Sequence, residues 1–379
     1  MSRAGLQTLR EFAHIPSIEE IQRATGTSVP IRMGANENPF ALPERFWCAL
    51  QQNARDLAYY SDPCAWELRE LLAAQHGVGV EHIHVGAGID ALVADTYLAF
   101  LEPNDVVAMV AGTYQMAEFA AARAGARIRK VEYRGGRAPT LELGALARAT
   151  SARLVYLANP DNPAGCIYSP REVRELSESI APHSAVVLDE AYLDFSDEPT
   201  ALRYSETVET RILRYRTLSK LYGLAGLKVG YVVGRPDLVS DIAATSMRYG
   251  LGRFAQRAAQ ICLEDESLAE EMLAEYRLAR SYLRDSLHGL GIQTRPCATN
   301  FLLADFGSQI KRNAVHQFLL RGGVLTRHAA GSGHESLLRV SLAAAPEARR
   351  FIELVNEFVD RDACNPHPVT SATWEGDRP

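Results

Sequence analysis

Lys220 stands in the stretch Thr217-Leu-Ser-Lys220-Leu-Tyr-Gly223-Leu-Ala-Gly226-Leu-Lys228-Val-Gly230, a glycine-rich loop that follows an apolar run. Desolvation in such a loop lowers an ammonium pKa and suits the amine to form a Schiff base, although a lysine taken alone is more often a solvated surface group. Its company raises the odds. The apolar run Val186-Val-Leu-Asp189 ends in a carboxylate. That residue reads either as a turn cap or as the group that keeps a pyridinium nitrogen protonated, so that the ring accepts electrons from a substrate carbanion. Tyr192, three residues on, is placed to reach the ring's phenolic oxygen. Asn162, in Asn159-Pro-Asp-Asn162-Pro-Ala-Gly165, lies in what reads most simply as a turn, and it can donate a hydrogen bond to the same oxygen. Gly86-Ala-Gly88-Ile89-Asp90 joins the apolar run His82–Val85 to a helix expected over Ala91–Leu101. Glycines there leave backbone N–H groups free to meet a phosphate at the helix N-terminus. Ala91 stands where a dinucleotide fingerprint has its third glycine, so a dinucleotide is the poorer reading.

These residues need a scaffold that sets strand ends side by side. Between residues 65 and 240, helical spacing alternates with apolar runs at His82–Val85, Val106–Val110, Ile128–Val131, Leu154–Ala158, Ala185–Leu188, Ile212–Thr217 and Lys228–Gly234. Such runs predict a buried, mostly parallel seven-stranded sheet between helices, which binds ligands beyond the carboxyl ends of its strands. Ser246 to Leu290 reads as one long helix. Beyond it, strands at Asn300–Asp305, Gly323–Arg327 and Leu337–Leu342 and helices at Ile310–Arg321 and Pro346–Val359 predict a smaller α/β domain. The expected division is an N-terminal arm over 1–35, a large cofactor-binding domain over 36–245, a bridging helix and small domain over 246–360, and a tail over 361–379.

The 379 residues, 47% hydrophobic and 23% charged with a formal net charge of −6, describe a globular protein large enough for two domains. The mild acidity argues against a nucleic-acid partner. Six scattered cysteines without a C-x-x-C pair indicate neither a disulfide framework nor a zinc knuckle, and fit a reducing cytoplasm. No stretch approaches the roughly 18 apolar residues of a membrane span, and the N-terminus lacks an export pattern. His82 and His84 lack a third ligand nearby and read as packed or surface residues, so no metal is expected. The acidic stretch Asp194-Phe-Ser-Asp197-Glu198 reads as a solvated loop.

Together, from Ile31 to Glu357, these motifs resemble the fold-type-I pyridoxal-phosphate aminotransferases, most closely the histidinol-phosphate aminotransferase subfamily. Asn36-Glu-Asn-Pro-Phe40 is similar to its N-terminal motif and Tyr60-Ser-Asp-Pro63 to its tyrosine motif, whose tyrosine reaches the cofactor phosphate of the neighbouring subunit. The resemblance implies a homodimer with shared sites, acting on small-molecule amino-acid and oxo-acid substrates. It implies Lys220 as the Schiff-base lysine and Asp189 and Tyr192 as its catalytic partners. Gly88, Ile89, Asp90, Tyr114, Asn162, Ser219, Lys228 and Tyr60 are implied as further cofactor contacts, with the Tyr114 ring stacked on the cofactor. Asn36, Asn300, Arg327 and Arg339 are implied on the substrate side, Arg339 gripping an α-carboxylate and Arg327 a substrate phosphate.

Several positions depart from that subfamily. Lys228 replaces an arginine and loses its bidentate fork. Ala111-Gly112-Thr113-Tyr114 lacks the usual proline before the threonine, Ala91 replaces an acidic residue, and Phe12 replaces a tyrosine of the arm. Arg248-Tyr-Gly250-Leu-Gly252-Arg253 replaces an asparagine-rich turn. Three functions stand: an aminotransferase for histidinol phosphate and 2-oxoglutarate; an enzyme of the same fold that decarboxylates, eliminates, cyclises or oxidises a free amino acid; and a non-catalytic regulator, disfavoured because no basic DNA-binding segment precedes Ile31.

Overall fold

The computed structural model describes residue 9, residues 17–26, residue 28, and residues 31–196 and 203–364. Strand β1 is Ile31–Arg32. Strands β2 (Ile83–Gly86), β3 (Val106–Val110), β4 (Arg127–Val131), β5 (Leu154–Ala158), β6 (Ala185–Asp189), β7 (Ile212–Thr217) and β8 (Gly230–Val233) make a seven-stranded sheet in the order β2-β8-β7-β6-β5-β3-β4. Every pairing from β7 through β6, β5 and β3 to β4 is parallel. Only β8 runs against its neighbours β2 and β7.

All residues of β3, β5, β6, β7 and β8 are buried, which is why β3, β5, β8 and β6 up to its terminal Asp189 are apolar without alternation; β7 is the exception, its Arg214 buried against Glu190 at 2.8 Å and its Arg216 paired with Asp194. Strand β4 is the exposed edge and carries Arg127, Arg129 and Lys130, charges that blunt pairing with a further strand. Helices cover both faces. Ser169 starts one of them, Pro170–Ser179, with a capping box closed by Glu172, and proline occupies the first helical position.

The long helix expected over Ser246–Leu290 is two helices, Arg253–Glu264 and Leu268–Gly289. Asp265 interrupts it by accepting from the Ser267 backbone and hydroxyl, while Arg45 clamps Asp265 at 2.6 Å and Glu271 at 2.8 Å across the break. Residues 246–252 are loop, with Tyr249 at φ 60°.

Strands β9 (Gln293–Arg295), β10 (Phe301–Asp305), β12 (Arg327–His328) and β13 (Leu337–Ser341) form an antiparallel sheet in the order β12-β13-β10-β9. The expected strand Gly323–Arg327 divides at the buried Thr326, whose hydroxyl meets His316 at 2.9 Å. Its first part, β11 (Val324–Leu325), pairs in parallel with β1. The N-terminal segment is thereby fastened beside the small sheet, and Ile21 packs on Leu320 and Leu325. The last helix, Ala345–Cys364, runs four residues into the segment expected as tail, and residues 365–379 lie outside the described residues, as does Phe12. No helix among the described residues is long and apolar enough to cross a membrane.

Candidate active site

The carboxyl ends of β5, β6 and β7 open on a cavity of about 130 Å³ lined by Gly88, Ile89, Asp90, Tyr114, Asn162, Asp189, Tyr192, Ser219, Lys220 and Lys228. Every residue expected at the cofactor therefore lines one cavity, with the exception of Tyr60. Ala158, Pro160, Ala191, Thr217 and Ala225 complete the wall; of these, the small apolar residues carry no chemical signature that a sequence reading would select.

Asp189 closes the floor. It is buried among apolar strands, and its Oδ2 accepts from the Tyr156 hydroxyl at 2.6 Å while Oδ1 accepts from the Ala191 N–H at 3.0 Å. Both donors are neutral, and burial pushes the carboxyl up to about 6. Tyr156 was absent from the sequence reading, since a tyrosine inside an apolar strand reads as core.

At the opposite end, the helix Gly88–Phe100 starts at the cavity with Gly88 at φ 82°. Its first N–H groups have no intrahelical acceptor. Lys228 lies over this terminus: a Cβ on Gly88 would stand 3.2 Å from Lys228 Cε. Its ammonium pairs with Asp90 Oδ2 at 2.9 Å, and Asp90 Oδ1 accepts from the Tyr114 hydroxyl at 2.9 Å. The aromatic ring and the cation are thus joined through one carboxylate. Thr217 and Ser219 border the same end, tied by the Ser219 N–H to Thr217 Oγ1 at 3.0 Å.

Lys220 donates to the Asn36 carbonyl at 3.1 Å, with its ammonium 5.7 Å from the Tyr192 ring centre. Asn36, expected on the substrate side, is a buried junction at φ 53°. Its side-chain amide donates to the Tyr192 hydroxyl at 2.9 Å, its N–H donates to Ser341 Oγ at 2.9 Å, and its carbonyl accepts from Asn300 at 3.0 Å as well as from Lys220. Asn162 also donates to the Tyr192 hydroxyl, at 3.5 Å.

Arg339 reaches the cavity wall from β13. Its guanidinium donates to Asn162 Oδ1 at 2.5 Å and to the Gly34 carbonyl at 2.7 Å, both neutral acceptors, and its buried Nε has no hydrogen-bond partner among the described residues. Burial pulls its pKa below the usual guanidinium range. A buried cation without a carboxylate is costly unless an anion arrives. Arg327 is the direct cross-strand partner of Arg339.

Tyr60, expected to serve a neighbouring subunit, does not line this chain's own cavity; it is 81% exposed, with its ring centre 5.1 Å from that of Tyr249 and its carbonyl held by Arg253 at 2.6 and 3.1 Å. One expectation changes: Asp194 is not a solvated loop residue but is ion-paired to Arg216, while Asp197 and Glu198 lie outside the described residues. His82 bonds the Gly234 carbonyl at 3.0 Å and His84 bonds Ser246 at 2.9 Å.

Comparison with known proteins agrees with this geometry. Residues 28–356 match the family model for aminotransferase class I and II. A histidinol-phosphate aminotransferase of Moorella thermoacetica is 31% identical over 362 residues, 94% of this chain and 92% of that protein. One of Geobacillus sp. is 31% identical over 94% of this chain and 98% of its own length. The crystal structure of histidinol-phosphate aminotransferase from Sinorhizobium meliloti in complex with pyridoxal-5'-phosphate superimposes with a TM-score of 0.90 at 26% identity, covering 95% of this chain and 99% of that one. With nearly its whole length matched in sequence and in fold, the chain belongs to the class I and II aminotransferase family, α/β proteins of fold type I.

Proposed function

We propose that this protein is a pyridoxal-phosphate-dependent aminotransferase of the histidinol-phosphate aminotransferase type, moving an amino group between an amino acid or amine and a 2-oxo acid. The observation that carries it is the convergence on one cavity of a lysine, a buried carboxylate whose hydrogen-bond donors are neutral, and a helix N-terminus backed by a lysine. Those groups suit the cofactor: Asp189 would meet its ring nitrogen, Tyr192 and Asn162 would bond its phenolic oxygen, and Gly88, Ile89, Ser219 and Lys228 would hold its phosphate. Tyr114 would cover the ring, and Lys220 would supply the amine for its aldehyde. When bound, pyridoxal phosphate supplies an electron-accepting ring that stabilises negative charge at the substrate α-carbon.

The chain's own residues do the rest. Lys220 Nζ holds and moves the proton taken from the α-carbon. Arg339 orients a substrate carboxylate in a two-pronged pair, and Asn162 and Asn36 fix the tyrosine hydroxyl between them. Arg327, on the same face, suits a second anionic group such as a substrate phosphate. Tyr60 serves the site of a second copy, so the active form is a homodimer. We assign it to the cytoplasm.

A second reading, an enzyme acting on a free amino acid by another route, is favoured by the departures on the substrate side, Ala91 in place of an acidic residue and Arg248-Tyr-Gly250-Leu-Gly252-Arg253 in place of an asparagine-rich turn. The test is the visible absorption spectrum of the purified protein before and after histidinol phosphate and single amino acids, with products identified by mass spectrometry. Conversion of the bound cofactor to pyridoxamine phosphate with release of a ketone supports transamination. An amino acid consumed while the cofactor returns unaminated favours the second reading, and a protein without a visible band overturns both.

A further inference from the structure

Arg327 and Arg339 stand opposite one another on β12 and β13, so both side chains leave the same face of the small sheet. The eight residues joining these strands reach across to the large sheet. There Gly331, at φ 92°, lies against Gly112, at φ 83°. A Cβ on Gly112 would stand 2.6 Å from Gly331 N and 2.7 Å from its Cα. A Cβ on Gly331 would stand 2.6 Å from Tyr133 Cδ2 and 3.1 Å from the Ala111 carbonyl. The two backbones meet with no room for a side chain, at a φ that proline, locked near about −65°, is unable to adopt. Around the contact, Ser332 donates to Glu132 at 2.5 Å, Arg295 donates to the Gly333 carbonyl at 3.0 Å, and the Tyr133 and His334 ring centres lie 4.9 Å apart.

Both ends of this contact lead to the cavity. Gly112 is two residues from Tyr114, and the Tyr133 hydroxyl donates at 2.9 Å to Asp161, next to the Asn162 that receives Arg339. We propose that the Gly112–Gly331 contact is a backbone clasp that sets how closely the arginine hairpin stands to the cavity, making these two glycines positioning residues for the donor's α-carboxylate. The proposal rests on the reading above that Arg339 grips that carboxylate.

A methyl group at either glycine forces the hairpin back by about 1 Å, and a displacement of that size at a positioning group costs up to about 100-fold. The experiment titrates the cofactor-loaded full chain with L-glutamate, followed by absorbance, in Gly331→Ala, Gly112→Ala and the unsubstituted protein. The expected result is a half-saturating glutamate concentration about 10- to 100-fold higher in the variants, with limiting rate and cofactor content per chain little changed. Should the glycine variants fail to fold, Ser332→Ala removes only the exposed bond to Glu132 and is expected to raise the half-saturating concentration about threefold. Unchanged titration in folded variants, or a loss of cofactor that parallels the loss of glutamate binding, overturns the clasp. An unsubstituted protein that responds to no carboxylated donor overturns instead the reading on which the clasp rests.

Discussion

The Tyr156 hydroxyl donates to the Asp189 carboxylate across neighbouring parallel strands, at 2.6 Å and with both side chains buried. A neutral donor stabilises the charged carboxylate but does not cancel the cost of burying it, so Asp189 titrates at about 6 against an ordinary 3.8. Between those values the folded chain binds the proton that the unfolded chain has released. The contribution to stability is complete below about pH 4 and is lost as pH rises through about 6. In the cofactor-free protein, Asp189→Asn is therefore expected to gain on the parent by on the order of 3 kcal/mol between pH 4 and pH 7. Urea unfolding across that range checks it, and parallel curves for the two proteins would refute it. Loading the cofactor is expected to shrink the difference, since Asp189 then faces a cation.

Lys220→Ala removes a side chain whose hydrogen bond is to the Asn36 carbonyl. The variant is expected to fold, to show no visible band from lysine-bound cofactor, and to lose at least about 10³-fold in transamination. A retained band would move the covalent role to another lysine.

Arg339→Lys keeps the charge and loses the planar fork that spans Asn162 and Gly34. Charge-assisted hydrogen bonds contribute about 1.5–3 kcal/mol each, so KM for a carboxylated donor is expected to rise at least about 10-fold with cofactor affinity unaltered. An unchanged KM in steady-state assays would place the carboxylate grip elsewhere.

Tyr60 and its support offer a test of the second copy. Leu57, Tyr59, Trp66 and Tyr249 are exposed apolar groups near it in sequence or space, and Arg253 holds the Tyr60 carbonyl. Light scattering is expected to give a dimer. Tyr60→Phe should loosen cofactor binding about 10-fold, and Arg253→Met should do the same through the backbone it anchors. A fully active monomer would contradict the role.

Where the chemistry sits at a strand end, the sequence displays it: Asp189, Asn162 and Lys220 each follow an apolar run, and the fold places each at the cavity. The phosphate end was legible for the same reason, since Gly88 has to start a helix directly after a strand. What stayed hidden is long-range. Asn36 bonds Ser341 across 305 residues and Tyr192 across 156, and no local periodicity records such contacts. Ser341 and Tyr156 look like ordinary strand residues until their partners are in place. The helix break at Asp265 stayed hidden because the flanking Glu264 and Glu266 keep good helical propensity, while the Asp265 bonds to Ser267 that end the helix are held in place by Arg45, 220 residues away. Tyr60 was recognised through its motif, but a single chain leaves its ring exposed.

The bonds between Asn36 and Ser341 also fix when the site can exist. At about 5–20 residues per second of synthesis, the residue that seats Asn36 follows it out of the ribosome by roughly 15–60 s. Through that interval the central strands can pair, but Asn36 lacks its anchor, Lys220 and Tyr192 lack a fixed Asn36, and Arg339 has not been made. The nascent chain thus carries an unfinished pocket, so the grip on a substrate carboxylate belongs to the completed polypeptide, and a ribosome stalled before residue 339 would hold the cavity's lysine and carboxylate without the arginine that completes it.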